Sequence, residues 1–93
     1  MNEKLIEKKL RDKVKSLGGI AFKLYSAYHI GLPDRLVLMP GGKAAFAEIK
    51  TTGKKPTMLQ EKAIAELQAL GFKALVIDSQ ERLNKFLEEL RNE

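Results

Sequence analysis

Three side chains carry the chemical promise of this sequence: Asp34, Glu48 and Lys50. Asp34 follows Gly31-Leu32-Pro33 and precedes Arg35 and the apolar run Leu36-Val37-Leu38-Met39. A Pro40-Gly41-Gly42-Lys43 turn separates that run from Ala44-Ala45-Phe46-Ala47, which leads into Glu48-Ile49-Lys50. Strand residues alternate faces, so Glu48 and Lys50 must share one side and Ile49 the other. Whether Asp34 joins them depends on the hairpin register. An odd loop such as Pro40-Gly41-Gly42 sets Asp34 directly opposite Glu48. A two-residue Gly41-Gly42 turn pairs Asp34 with Ile49 and sends Glu48 to the other face. Pro40 has no N–H for a ladder, so the loop that keeps it outside the strands costs less.

Two facing carboxylates repel, and a hard divalent cation relieves that repulsion while keeping both ionised. Such an ion lowers the pKa of a water it holds, and a lysine alongside can steady an attacking hydroxide or a pentacovalent phosphate. The pattern points to metal-assisted hydrolysis of a phosphodiester. A bare Glu-x-Lys is ordinarily a surface ion pair. Charged groups on otherwise apolar strands are costly unless something pairs with them. The Pro33-Asp34 step across the hairpin therefore favours a site over a surface pair.

Composition narrows the metal and the partner. The chain has 93 residues, no cysteine and a single histidine, His29. Thiolate zinc sites, disulfides and multi-histidine sites are excluded, and oxygen ligands favour Mg2+ or Mn2+. The length implies one domain, spanning residues 1–93. No run of about 18 apolar residues would cross a membrane, and a cytoplasmic location, in a bacterium or a phage-infected host, is expected. The net charge of +5 suits a polyanionic partner.

The elements that must position these groups follow from periodicity. Leu5, Ile6, Leu10, Val14 and Leu17 mark a helix over Glu3 to Leu17, capped by Asn2 and stopped by Gly18-Gly19. Its basic residues Lys4, Lys8, Lys9, Arg11, Lys13 and Lys15 form either a solvated face or a phosphate contact. A strand is expected over Ile20 to Ser26, with a loop from Ala27 to Pro33. After the central hairpin comes a basic loop over Gly53 to Pro56. A helix over Met58 to Leu70 has Leu59, Ala63, Ile64, Leu67 and Leu70 inward. Lys73 to Ile77 reads as a strand, and Asp78 with Glu81 as a capping box opening a helix with Leu83, Phe86, Leu87 and Leu90 inward. The order is α-β-β-β-α-β-α, an α/β fold with a mixed four-stranded sheet flanked by helices.

Gly31-x-Pro33-Asp34-Arg35, then Phe46-x-Glu48-x-Lys50, then Gln60, resembles the VRR-NUC family of the PD-(D/E)XK nuclease superfamily. Gly18-Gly19-x-x-x-Lys23 and Leu70-Gly71 fit the same pattern, so the likeness covers nearly the whole chain. The resemblance implies a restriction-endonuclease-like core and Mg2+- or Mn2+-dependent cleavage of DNA. It makes Asp34, Glu48 and the Ile49 carbonyl metal ligands and Lys50 the catalytic lysine. It also calls for an acid on the first helix, for which Glu7 fits best and Glu3 is the reserve; alternatively Glu7 pairs with Arg11 one turn on. Gln60 fits the site, and Thr57-x-x-Gln60 is equally a capping box. Stand-alone members look like phage-encoded homodimers that cut four-way (Holliday) junctions, and this chain resembles that type. A nicking or nonspecific nuclease and a DNA-binding accessory domain without turnover are the alternatives.

Other basic residues bear on DNA. Lys23, Lys54 and Lys55 suit phosphate contacts. Arg35 contacts DNA or pairs with a carboxylate. Lys43, at the hairpin tip, is expected only to aid solubility, and His29, in a glycine-flanked loop with Tyr28, to face solvent.

Overall fold

Helix α1 (Glu3–Ser16) begins where Asn2 Oδ1 accepts a hydrogen bond from the Leu5 N–H at 2.9 Å. Strands β1 (Ile20–Lys23), β2 (Arg35–Met39) and β3 (Lys43–Ile49) form an antiparallel meander. Helix α2 (Met58–Ala69) then crosses to β4 (Lys73–Ile77), which pairs parallel with β3, and α3 (Gln80–Arg91) closes the fold. The sheet order is β1-β2-β3-β4, the mixed sheet the sequence implies. This computed structural model describes residues 1–26 and 28–92; Ala27, expected in the loop before Pro33, lies outside the described residues.

The hairpin loop is Pro40-Gly41-Gly42, with Met39 paired to Lys43 and Arg35 to Ala47. Gly41 and Gly42 both have positive φ, 86° and 76°, a conformation that strains residues with a Cβ. The odd loop thus sets the register on which convergence of the acids depends.

One face of the sheet is sealed. Ile6, Leu10 and Val14 of α1 and Leu83, Phe86, Leu87 and Leu90 of α3 pack on Val37, Met39, Ala45, Ala47, Ile49 and Ile77. The other face is only half covered, because α2 packs mainly over β4. This explains two departures from the sequence reading of α2. Ala63 and Ile64 are buried, whereas Leu59 and Leu70 are exposed, since a helix over one side of a sheet buries a narrow stripe. Leu5 is likewise exposed beside its buried neighbour Ile6.

Three further expectations are corrected. Strand β1 ends at Lys23 rather than Ser26. Its last ladder bond runs from the Leu24 N–H to the Asp34 carbonyl at 2.7 Å, and the next partner along the register is Pro33, which has no N–H to donate. Helix α3 is capped by Ser79, whose Oγ accepts from the Arg82 N–H at 3.1 Å. Asp78 instead meets Arg82 Nε at 3.4 Å, so the Asp78–Glu81 box does not form. Lys43 donates to the Arg91 carbonyl, tying the hairpin tip to the end of α3 rather than merely solubilising it.

Candidate active site

The register continues past the last ladder pair and sets Asp34 across from Glu48. Both leave β2 and β3 on the α2 side, the face that α1 and α3 do not cover. Asp34 Oδ2 accepts a hydrogen bond from the Ile49 N–H at 3.0 Å, which fixes the carboxylate at the strand end. Lys50 follows β3, and its Nζ lies 3.7 Å from Glu48 Oε2. Its backbone N–H donates to the Ile77 carbonyl at 3.1 Å, so the lysine is anchored by the parallel pair.

Glu48 is the unusual member. It is 2% exposed, and its two oxygens have different fates. Oε2 accepts from Gln60 Nε2 at 3.2 Å and faces Lys50, while Oε1 is buried and has no hydrogen-bond partner among the described residues. Burial pushes the carboxyl up to about 7; the Asp34 carboxylate across from it pushes the same way, and Lys50 opposes. An unpaired buried oxygen beside a second acid is expensive unless a cation completes it.

Gln60 serves both roles open to it. Its Oε1 accepts from the Thr57 N–H at 2.8 Å and its N–H donates to Thr57 Oγ1 at 3.2 Å, completing the capping box of α2. Its remaining amide donor holds Glu48. The segment before Asp34 braces the same helix start: Gly31, with φ +89°, approaches so closely that a Cβ would lie 2.5 Å from the Leu59 carbonyl oxygen.

Arg35 and Glu7 lie on the opposite face of the sheet. The Arg35 guanidinium is buried, pairs with Glu7, and reaches the Ala21 carbonyl at 3.5 Å. Arg35 is therefore turned away from any ligand, and Glu7 joins neither Arg11 nor the two acids across the sheet. The sequence reading offered Arg35 a carboxylate without naming it; that carboxylate is Glu7, which the same reading set among the catalytic acids or beside Arg11. Among the described residues no group of three or more histidine, aspartate or glutamate side chains gathers to hold a metal. The donor set open to a cation is two carboxylates and neighbouring backbone carbonyls, all hard oxygen, and the partnerless Glu48 Oε1 fits it.

Of the basic residues, Lys23 pairs across from Arg35, away from the acids, with its ammonium 5.7 Å from the centre of the Tyr25 ring. Lys54 and Lys55 are exposed on the turn that leaves β3, at the same end of that strand as Glu48 and Lys50. His29 Nε2 lies 3.3 Å from Glu66 Oε2 on α2, so it has a partner rather than only solvent.

No family model matches the chain. It is 47% identical over 81 residues to "Putative nuclease p44" of Acyrthosiphon pisum secondary endosymbiont phage 1, a match covering 87% of each protein. A solved structure described as a VRR_NUC domain superposes with a TM-score of 0.85 at 29% identity, covering 92% of this chain and 94% of that one. The chain belongs to the VRR-NUC family. As in the sequence reading, the VRR-NUC fold here is α-β-β-β-α-β-α around a mixed sheet, and the chain is a nuclease by kinship and architecture. Within this VRR-NUC domain, Asp34, Glu48, Lys50 and Gln60 gather at one end of the β2–β3 ribbon.

Proposed function

We propose that this nuclease is a metal-dependent, structure-selective DNA endonuclease that cuts four-way junctions as a homodimer. The observation that carries the metal-dependent chemistry is Glu48: a buried carboxylate held on one oxygen by Gln60, unpartnered on the other, across from Asp34. Asp34, Glu48 and the Ile49 carbonyl would hold Mg2+ or Mn2+. When bound, such an ion supplies Lewis-acid stabilisation of phosphoryl charge and lowers the pKa of water.

The chain's own groups do the rest. The Ile49 N–H orients Asp34, and Gln60 presents Glu48 with Oε1 free. Lys50, mostly buried and aimed at the same carboxylate, offers a fixed positive charge to the negative charge that grows on a phosphate during hydrolysis. Lys54 and Lys55 attract the DNA backbone beyond the strand end.

The second copy finds support in the half-covered sheet face. Ile20 and Phe22 of β1 pair with Leu38 and Leu36 of β2 on the side away from α1 and α3, and Ile20 and Phe22 are 56% and 47% exposed. This patch has no charge at its centre to meet phosphates, and an apolar sheet face is stable when something apolar covers it. A two-fold pair would set two sites against the two strands of a symmetric junction. Action on DNA inside a bacterial or phage-infected host fits this reading.

The test compares a labelled four-way junction, a matched duplex and a single strand, each with Mg2+, Mn2+ or chelator, alongside the solution mass of the protein. Paired cuts confined to the junction, and abolished by chelator, are expected. Cuts on every substrate would replace this reading with a nonspecific nuclease. Binding without product would replace it with an accessory domain.

A further inference from the structure

We propose that the cleft between the Tyr28–Ile30 segment and α2 receives an unpaired nucleobase of the DNA strand held at the active site. The inference rests on the nuclease reading above and adds the feature that would select unpaired DNA. The cleft has a volume of about 230 Å3, and its lining includes Tyr28, His29, Ile30, Leu59, Lys62 and Glu66.

Its position links it to the chemistry. Leu59 lines the cleft, and the next residue, Gln60, holds Glu48. Gly31 packs its backbone against that same Leu59–Gln60 step, so the cleft wall and the catalytic acids are joined through one short stretch of α2.

Its chemistry is that of a base site. Tyr28 is 99% exposed and Ile30 72% exposed, an outward aromatic and aliphatic surface. The backbone that carries them is nonetheless held in place. Ser26 Oγ accepts hydrogen bonds from the N–H groups of Tyr28 and His29, at 3.3 and 3.0 Å, and the His29–Glu66 pair ties the segment to α2. An aromatic face stacks on any base, the second carboxylate oxygen of Glu66 can accept from a base edge, and Lys62 can neutralise the adjoining phosphate. A base inside a duplex cannot enter without leaving its stack, at a cost of a few kcal/mol that an already unpaired base avoids. Flaps and gapped ends carry such bases, and a pair at a four-way branch point, stacked on one side only when the arms splay, opens more readily than one inside a continuous duplex.

The test uses the full chain and a junction with a short unpaired strand at its branch point, carrying 2-aminopurine, a fluorescent base quenched by stacking, at each unpaired position flanking the cut. Because the Tyr28 side chain is in solvent, Tyr28→Ala leaves the core untouched. Wild type and Tyr28→Phe are expected to quench the probe at one flanking position, and Tyr28→Ala to lose that quenching and bind about tenfold more weakly, the usual loss for one stacked base. Should Tyr28→Ala quench and bind as wild type does while wild type cuts the junction, the base site is refuted and the nuclease reading stands. Should wild type neither bind nor cut any of the DNAs with either cation, both fall.

Discussion

Asp34 and Arg35 are neighbours in the chain and opposites in the fold. Arg35 turns under the sheet, where Glu7 neutralises it among the apolar residues of α1 and α3. Asp34 turns to the other side, where it faces a second acid, Glu48. Each cluster keeps one buried polar atom unpaired, Arg35 Nε on one face and Glu48 Oε1 on the other. The balance of charge separates them. The Arg35–Glu7 pair is complete, one cation to one anion, and its work is to fasten α1 to β2. The Asp34–Glu48 pair has only Lys50 against two acids, and that excess of negative charge is what a cation would answer.

The comparison breaks if removing a charge has the same consequence on both faces. The largest effect is expected at Lys50. Lys50→Ala should reduce cleavage by at least about 100-fold, the scale seen when one fixed charge-stabilising donor is removed, with DNA affinity and melting temperature nearly unchanged. Loss of affinity in step with activity would make Lys50 a binding residue instead. Arg35→Ala should act in the reverse sense. It leaves Glu7 without its partner and should destabilise the fold by about 3–5 kcal/mol, read by denaturant unfolding. A loss below about 1 kcal/mol would show that the buried pair is not what fastens α1.

A smaller effect sharpens the contrast through pH. The Glu48 carboxyl is raised from 4.5 to about 7 by burial first and by Asp34 second. An acid whose folded pKa is raised binds more protons folded than unfolded, so stability falls as pH rises between those values. Without divalent cations, wild type should therefore melt lower at pH 8 than at pH 5. Glu48→Gln should flatten that profile and melt at least about 4 °C above wild type at pH 8, the shift that roughly 1 kcal/mol brings in a domain of this size. Added Mg2+ or Mn2+ should raise the melting temperature of wild type and not of Asp34→Asn. A wild-type melting temperature indifferent to both pH and cation would remove the case for a metal at Glu48. The smallest effect belongs to Lys54→Ala and Lys55→Ala, each expected to weaken binding to all DNAs alike and to lower the salt dependence of affinity by about one counterion.

Much of this is legible in the sequence alone. The apolar stripe of α3 and the short apolar run of β4 announced their partners, because period and burial are both local properties of sequence. The odd glycine loop was legible too, since Pro40 has no N–H to give a strand ladder. The sequence erred where a decision depended on what lies opposite. Pro33 cut β1 short by denying it a donor from across the sheet. Ser79 displaced Asp78 as the cap of α3, while Asp78 turned to the Arg82 side chain instead. Leu59 and Leu70 looked inward by spacing, but α2 has only half a sheet beneath it.

By itself the sequence determined the element order and the alternation that puts Glu48 and Lys50 on one side of a strand, because these follow from chain geometry within a few residues. The partner of Arg35, the desolvation of Glu48 and the double duty of Gln60 were decided only by tertiary structure. Each depends on which groups, far apart in the chain, are brought within hydrogen-bonding distance once water has been excluded from between them.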